Sequence, residues 1–247
     1  SPDEMKSLRI VTLAGDKAPF QLIKRSKDKA PNLELVNEYG PTESTVVASI
    51  YRNLTEDTNT IIGKPAANTK IYILSKSGNL QPIGVPGELC ISGSRLARGY
   101  LNRQDLTDLK FVSNPFVPGE RLYKTGDLGK WLPDGNIEFL GRVDFQVKIR
   151  GYRVEPAEIE AELLKHKAVK EAVVLDRTDN LQNKYLCAYI VLKEDISIMQ
   201  LRNFLSKSLP EYMIPAKFVK LDTIPLSPNG KVDRRALPEP SDTLDIG

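Results

Sequence analysis

Residues 123–160 read YKTGDLGKWLPDGNIEFLGRVDFQVKIRGYRVEPAEIE, and the sequence pattern changes within this stretch. Before Arg142, short apolar runs are separated by Gly, Pro and Asn, and the turn at 133–136 (PDGN) predicts a tight hairpin. After Arg142, residues 143–149 alternate apolar with polar side chains, which is typical of a half-buried strand. Pro156 then suits the first turn of a helix. We therefore expect a domain boundary near Arg142.

The two sides of this boundary predict different architectures. Upstream, a strand at 8–14, a basic helix at 18–30 and a strand at 33–37 are followed by β pattern over 46–140. Downstream, the predicted order is αββαβ, with Ser197 as the cap of the second helix, and this order forms a compact α+β unit. The expected fold class is thus α/β to α+β.

Composition limits the class of protein. The 247 residues are 40% hydrophobic and 27% charged, as in ordinary globular proteins. A net charge of +3, from 35 basic and 32 acidic residues, is too small to indicate nucleic-acid binding. We find no apolar run near the roughly 18 residues that a membrane helix needs, so no membrane partner is expected.

Cysteine and histidine usage points to a cytoplasmic protein without triad or zinc chemistry. Cys90 and Cys187 lie in separate apolar runs, which favours buried free thiols over a disulfide. The polar, acidic start at residues 1–4 does not match a signal peptide. His166, the only histidine, lies between two lysines and is interpreted as a solvated cation at a helix end.

The segment 38–43 (EYGPTE) carries candidate ligand-binding groups on a turn that Gly-Pro prevents from continuing as a strand. A Thr42 hydroxyl could bond a phosphate oxygen, and a Glu43 carboxylate could hold Mg²⁺ together with phosphate. Tyr39 could stack on a base. The alternative is a plain turn with a solvated acid.

Three further residues could complete a nucleotide site. Asp127, flanked by glycine, has two carboxylate oxygens that could accept from neighbouring ribose hydroxyls, or it could form a simple Asx turn. Arg142 presents a fork of donors suited to phosphate or carboxylate, or to an ion pair with Asp144 or Glu138. Lys231, in the NGKVDRR turn at 229–235, could reach into a cleft, or it could belong to a basic surface loop.

Taken together, these segments resemble the adenylation domains of nonribosomal peptide synthetases, within the adenylate-forming superfamily. The matching stretches occur in the family's order and span nearly the whole chain: LAGDKA, NEYGPTE, GELCISG, YKTGD, GRVDFQVKIRGYRVEPAEIE, LPEYMIP and NGKVDRR. A set of six or seven ordered motifs is far more specific than any single one.

The resemblance implies a division of the chain. Residues 1–141 would be the C-terminal part of the large subdomain, with strand-helix layers and a region like a β-barrel. Residues 142–236 would be the small mobile subdomain, with Asp144 as its hinge, and residues 237–247 a linker towards a carrier domain. The family's glycine-rich phosphate loop and its acid for the substrate amine are expected in a complementary N-terminal piece.

The resemblance also implies roles in binding ATP and Mg²⁺. Tyr39 would stack on adenine, Thr42 would contact the α-phosphate, and Glu43 would bind Mg²⁺. Asp127 would hold the ribose hydroxyls, and Arg142 would help to position the nucleotide.

The remaining implied roles concern the amino acid and its transfer to a peptidyl carrier. Lys231 would bridge the substrate carboxylate and the α-phosphate, and Gly151 would line the route of the carrier's phosphopantetheine arm. The surviving wall of the amino-acid pocket is Thr12, Ala14, Glu38, Val46 and Val47. Small residues at two of these positions and an acceptor at Glu38 favour tyrosine or another large side chain.

Two other functions stay open at this point. One is an acyl- or aryl-CoA ligase, which would turn over CoA without a carrier. The other is a non-catalytic module that docks a carrier or partner. The intact set of Glu43, Asp127, Arg142 and Lys231 argues against the docking module, because docking needs no such set.

Overall fold

The computed structural model describes residues 7–143, 146–149, 151–180, 183–227, 230 and 232–240. The chain divides into two compact units, Ser1–Asp144 and Phe145–Gly247. Arg142 ends a strand of the first unit and pairs with Asp127, whereas the family resemblance implies that the second domain begins at Arg142. The difference arises because the hairpin continues as far as Arg142.

The first unit is a large, mostly antiparallel sheet with two helices. Its elements in chain order are β1 (Ile10–Ala14), α1 (Phe20–Lys29), β2 (Glu34–Tyr39), β3 (Ser49–Tyr51), β4 (Ile61–Pro65), β5 (Thr69–Leu74), β6 (Gly87–Gly93), α2 (Gln104–Lys110), β7 (Phe111–Ser113), β8 (Arg121–Trp131) and β9 (Ile137–Arg142). Within the described residues the sheet order is β1-β2-β3-β4-β9-β8-β6-β5, and β7 pairs with β8.

Strand direction separates two regions of this sheet. β1 and β2 run parallel, joined through α1, which is the predicted strand-helix layer. All other pairs recorded in this sheet are antiparallel. Short loops are sufficient for antiparallel pairs, whereas the parallel pair needs the longer crossover that α1 supplies.

The hairpin β8–β9 contains the predicted PDGN turn. The amide of Leu132 donates to the carbonyl of Asn136 over 2.8 Å, and the amide of Gly135 donates to the carbonyl of Leu132 over 3.0 Å. β8 is one continuous strand of 11 residues, where the sequence pattern predicts separate runs. Its register places Asp127 opposite Arg142.

One face of β1–β2 is covered and the other is open. The covered face packs against α1 through a small apolar cluster of Ala18, Ile23, Leu33, Leu35 and Leu54. On the opposite face Ile10 is 51% exposed, and Ile50 of β3 is exposed as well. Apolar side chains gain about 1.5–3 kcal/mol from full burial, so this face is suited to being covered.

The second unit contains the predicted αββαβ order, preceded by a short hairpin. Its elements are β10 (Val147–Ile149), β11 (Tyr152–Val154), α3 (Pro156–Leu164), β12 (Val169–Thr178), β13 (Lys184–Leu192), α4 (Ile198–Leu205) and β14 (Lys217–Lys220). Among the described residues, β12, β13 and β14 form a three-stranded sheet in that order.

Helices α3 and α4 of this unit begin at the residues that the sequence predicts. Pro156 occupies the first turn of α3. The Ser197 hydroxyl accepts a hydrogen bond from the amide of Gln200, and the amide of Ser197 donates one to the side-chain oxygen of Gln200. The helix α4 therefore begins with a capping box. Leu164 is 50% exposed, whereas Ile159 and Leu163 of the same helix are buried. It follows Leu163 directly, and adjacent helical residues point about 100° apart.

His166 is half-buried and packs against a second helix, a contact that the predicted helix-end position did not include. Its ring meets Phe204 edge-on at 4.9 Å, and its Nδ1 accepts a hydrogen bond from the amide of Ala168 over 3.2 Å. The sequence could not show this because Phe204 lies on another helix.

The predicted linker begins inside the packed unit. Leu237 is 4% exposed and belongs to a cluster on one face of the sheet with Val173, Cys187, Tyr189, Val191, Val219 and Ile224. Tyr189 donates its hydroxyl proton to the Pro238 carbonyl over 2.8 Å, and Arg177 donates to the Leu237 carbonyl over 3.3 Å. Residues 237 and 238 are therefore anchored to the second unit.

Two smaller expectations can be compared with the described residues. Cys90 and Cys187 are free and buried, as predicted, and burial raises the pKa of the Cys90 thiol to about 12 and that of Cys187 to about 11. In the part of the chain that the structure describes, no helix is both long and apolar enough to cross a membrane.

Replacing Leu237 tests whether the start of the predicted linker belongs to the core. Leu237→Ala should lower the free energy of unfolding of the second unit by about 2–5 kcal/mol, since the truncation leaves a cavity. Hydrogen exchange at the amides of β13 measures this local stability. Leu164→Ala, at an exposed site, is the matched control and should change it by about 0.5 kcal/mol or less. Equal protection in both variants would mean that Leu237 contributes no core packing.

Candidate nucleotide site

The centre of the site is the carboxylate of Asp127, which lies buried on β8. Its Oδ2 accepts a hydrogen bond of 2.5 Å from the hydroxyl of Tyr39, at the end of β2. Its Oδ1 pairs with the Nη1 atom of Arg142. A donor on each oxygen fixes the orientation of the carboxylate.

Arg142 reaches Asp127 because β8 and β9 pair these two residues directly. Its Nη2 also donates to the carbonyl of Thr125 over 3.1 Å. The Thr125 hydroxyl donates to the carbonyl of Leu89 over 2.6 Å and accepts from the amide of Asp127 over 2.9 Å. The position of the Asp127 carboxylate is thus determined by Thr125 on β8 and Arg142 on β9.

Tyr39 is held by its ring as well as by its hydroxyl. The side chain is 7% exposed, and its ring centroid lies 6.1 Å from that of Phe139. Burial, and secondarily the negative charge of Asp127, raise the pKa of Tyr39 well above its usual value. The phenol therefore remains a proton donor to Asp127. Stacking on adenine stays a prediction, and such stacking would use the small exposed part of the ring.

The loop after β2 is tightly constrained. A Cβ on Gly40 would lie 2.4 Å from the Val46 carbonyl oxygen and 2.6 Å from the Ala48 nitrogen, so only glycine fits there. Thr45 and Val46 both have positive φ, at 58° and 68°. Such conformations cost about 1–3 kcal/mol each and cluster at functional sites. Arg95 braces the loop, because its carbonyl accepts from the Thr45 hydroxyl over 2.7 Å.

Within this loop Glu43 is buried and Thr42 is exposed. The Oε1 atom of Glu43 accepts a hydrogen bond of 2.6 Å from the hydroxyl of Tyr100, and its backbone carbonyl accepts from the amide of Ala97 over 2.8 Å. Across the described ranges we find no cluster of three or more His, Cys, Asp or Glu residues that could hold a metal ion.

The predicted pocket residues surround the end of β1–β2. Thr12 and Ala14 project from the open face of β1 and pair in register with Val36 and Glu38 of β2. Glu38 therefore shares their face. Val46 and Val47 follow in the constrained loop, where Val46 is exposed and Val47 half-buried. The structure thus places Thr12, Ala14 and Glu38 side by side on an accessible surface.

Three predicted residues belong to the end of the first unit or to the second. Lys231 and Asp144 lie outside the described residues. Gly151 is exposed, in the turn between β10 and β11. Their predicted roles stay predictions.

Sequence reasoning missed two supporting residues, Thr125 and Tyr100. Thr125 is two residues from Asp127, and the alternation along YKTGD could have suggested that both point to the same side. Tyr100 lies 57 residues from its partner Glu43, and the sequence gives no signal that joins them.

Two family models match this chain. A family model described as "AMP-binding enzyme" matches residues 1–101, and one described as "AMP-binding enzyme C-terminal domain" matches residues 158–231. The chain belongs to the AMP-binding enzyme family. The resemblance found in the sequence is thereby confirmed.

Two similar proteins are synthases of which this chain covers only a small part. The chain is 55% identical over 240 residues to gramicidin S synthase 2 of Aneurinibacillus migulanus. The aligned residues cover 97% of this chain and 5% of that protein. It is 52% identical over 243 residues to tyrocidine synthase 1 of Brevibacillus parabrevis, covering 97% of this chain and 22% of that protein.

Solved structures share the fold. Holo-PA1221, an NRPS protein containing adenylation and PCP domains, superposes with a TM-score of 0.80 at 32% identity, over 95% of this chain and 41% of that chain. The amide bond synthetase McbA of Marinactinospora thermotolerans has the same TM-score at 24% identity, over 93% of this chain and 46% of that chain. The chain spans less than half of each of these structures.

The burial of Tyr39 can be tested by alkaline titration. Its raised folded-state pKa means that the neutral phenol stabilises the fold fully below about pH 10, and that this contribution is lost as the pH rises through the folded pKa. At about pH 11, folded wild type and Tyr39→Phe should show equal tyrosinate absorbance at about 295 nm, with circular dichroism confirming that both are folded. In guanidinium the two proteins should differ by one ionised tyrosine. A difference of that size in the folded proteins would show that Tyr39 is accessible.

Proposed function

We propose that this chain is the C-terminal half of an amino-acid-activating, AMP-forming adenylation domain. Such a domain makes an aminoacyl adenylate from ATP and then loads the aminoacyl group as a thioester on a peptidyl carrier protein. The observation that carries the proposal is the buried carboxylate of Asp127, oriented by Tyr39 and Arg142, in a member of the AMP-binding enzyme family.

Asp127 is suited to holding the ribose of ATP. The two oxygens of a carboxylate can accept hydrogen bonds from two neighbouring ribose hydroxyls. A carboxylate that is already fixed loses little freedom when the nucleotide binds. We assign Asp127 to the two ribose hydroxyls on this basis.

Arg142 is proposed to position the nucleotide through Asp127. Its guanidinium already contacts the Asp127 carboxylate and the Thr125 carbonyl. An arginine so engaged orients the acid and offsets its buried negative charge. In this role Arg142 acts on the nucleotide through Asp127, whereas the sequence analysis also considered a direct contact between Arg142 and phosphate.

Glu43 is proposed as the protein ligand of Mg²⁺, with Thr42 contacting the α-phosphate. Mg²⁺ usually takes one or two carboxylates and completes its octahedron with waters and substrate phosphates, which fits a single carboxylate beside an exposed hydroxyl. When bound, the ion would supply neutralisation of phosphate charge.

The first half-reaction forms a bond between a substrate carboxylate oxygen and the α-phosphorus of ATP, and pyrophosphate leaves. Two anions must meet, so positioning and cationic stabilisation matter more than a general base. Lys231 is proposed to supply this stabilisation by bridging the substrate carboxylate and the α-phosphate. The proposal rests on the NGKVDRR motif.

In the second half-reaction the phosphopantetheine thiol of the carrier would attack the acyl carbon, and AMP would leave. Gly151 is proposed to line the path of that arm. Its exposed turn, without a side chain, would allow a narrow ligand to pass close to the backbone. Asp144 is proposed as the hinge between the conformations for the two half-reactions.

We further propose that a complementary N-terminal piece covers the open face of β1–β2. That face exposes Ile10 and Ile50 beside the pocket residues Thr12 and Ala14. The similarity to solved structures extends over less than half of their chains. An amino-acid pocket in which the small residues Thr12 and Ala14 lie beside the acceptor Glu38 favours tyrosine or another large side chain as the substrate.

Amino-acid-dependent ATP–pyrophosphate exchange tests this proposal. The chain supplied with its N-terminal complement should catalyse exchange, with tyrosine as the first amino acid tried, and the chain alone should not. Lys231→Ala should lower the exchange rate by about 10²–10³-fold, as for other preorganised stabilisers of developing charge. Lys207→Ala, at an exposed lysine of the second unit, is the control and should leave the rate unchanged.

Other outcomes would identify the alternatives. Exchange by the chain alone would contradict the need for a complement. Turnover of CoA without a carrier would favour an acyl- or aryl-CoA ligase. Carrier binding with no exchange under any condition would favour a docking module.

A further inference from the structure

Tyr100 makes a short contact with the carboxylate that the proposed function assigns to magnesium. Its hydroxyl lies 2.6 Å from the Oε1 atom of Glu43, and Glu43 is buried. The same hydroxyl lies 3.4 Å from that of Tyr123 on β8. A phenol bonded to a buried carboxylate determines where that carboxylate points.

The segment that carries Tyr100 holds Glu43 at two places. The amide of Ala97 donates to the Glu43 main-chain carbonyl over 2.8 Å, and the Tyr100 hydroxyl donates to the side chain. The two contacts are three residues apart on one segment. Main chain and side chain of the acid are therefore fixed by the same stretch, residues 97–100.

Tyr100 is itself held in place by its surroundings. Its amide donates to the hydroxyl of Thr107 over 2.9 Å, and that hydroxyl donates to the carbonyl of Arg103. Gly99 has a φ of +152°, and a Cβ there would lie 2.5 Å from the Thr107 methyl carbon. The Tyr100 ring meets Phe111 edge-on at 5.7 Å. The backbone can approach α2 this closely only because residue 99 is glycine.

We propose that Tyr100 is a positioning residue for Glu43 and sets the affinity of the site for the magnesium that accompanies ATP. The inference rests on the proposed metal role of Glu43. Residues that orient a metal ligand typically change metal affinity by 10–100-fold when they are removed. Tyr100→Phe keeps the ring and removes only the donor.

Calorimetric titration with ATP, with and without Mg²⁺, measures the effect in the intact adenylation domain that contains this chain. Wild type should bind ATP more tightly with Mg²⁺, and Tyr100→Phe should reduce this gain by about 10-fold. The affinity for metal-free ATP should not change. A loss that is equal with and without Mg²⁺ would indicate a general structural defect and would overturn the inference.

Two variants separate this inference from the proposal on which it rests. Glu43→Gln should abolish the gain from Mg²⁺, and adding Tyr100→Phe to it should change nothing further, because coupled residues are non-additive. If Glu43→Gln retains the full gain, the metal role of Glu43 fails and the inference fails with it. If only Tyr100→Phe retains it, the positioning role alone fails.

Tyr72→Phe is the matched control. This hydroxyl accepts from the side chain of Asn114 over 3.4 Å, and its ring stacks on Phe116 at 5.1 Å, among residues with no assigned role. Removing it should leave the gain from Mg²⁺ at the wild-type value. A matching loss in Tyr72→Phe would mean that any lost tyrosine hydroxyl weakens the site, which would overturn the inference.

Discussion

A buried ion pair constrains the arrangement of the first unit. Asp127 and Arg142 face each other across β8 and β9, and Tyr39 closes the other side of the carboxylate. Breaking such a pair by removing one partner typically costs about 3–5 kcal/mol, because a charge is left buried without compensation. The hairpin register and the end of β2 must therefore both be correct before the acid can be buried, and this requirement couples three strands to one carboxylate.

Strain is concentrated close to this carboxylate. The loop that follows Tyr39 contains Thr45 and Val46 at positive φ, and it is held by hydrogen bonds to Arg95 and by the close packing of Gly40. A β-branched residue in that conformation persists only where its surroundings over-determine it. The neighbouring acid Glu43 is positioned from a separate segment through Tyr100. Both acids of the candidate site are thus oriented by phenols that belong to other parts of the chain.

The second unit is stabilised by apolar packing on both faces of its sheet. One face of its three-stranded sheet packs against α3 and α4, and the other is covered by a smaller cluster that includes Leu237. Tyr189 and Arg177 bind the carbonyls of residues 238 and 237. A segment that reads as a proline-rich linker thereby completes a core. Because unpaired backbone carbonyls are costly to bury, these two bonds allow the segment to lie against the sheet.

The sequence by itself determined the family, the αββαβ order, the PDGN hairpin, the capping of α4 and the acids Glu43 and Asp127, since each depends on local pattern or on motif order. The roles of those acids and of Lys231 stay predictions. Tertiary structure alone decided that Arg142 binds Asp127, that His166 packs on Phe204, that Leu237 lies in a core and that Tyr100 holds Glu43. Each of these contacts joins residues on different elements. Local sequence pattern does not indicate which residues that are distant along the chain will be in contact.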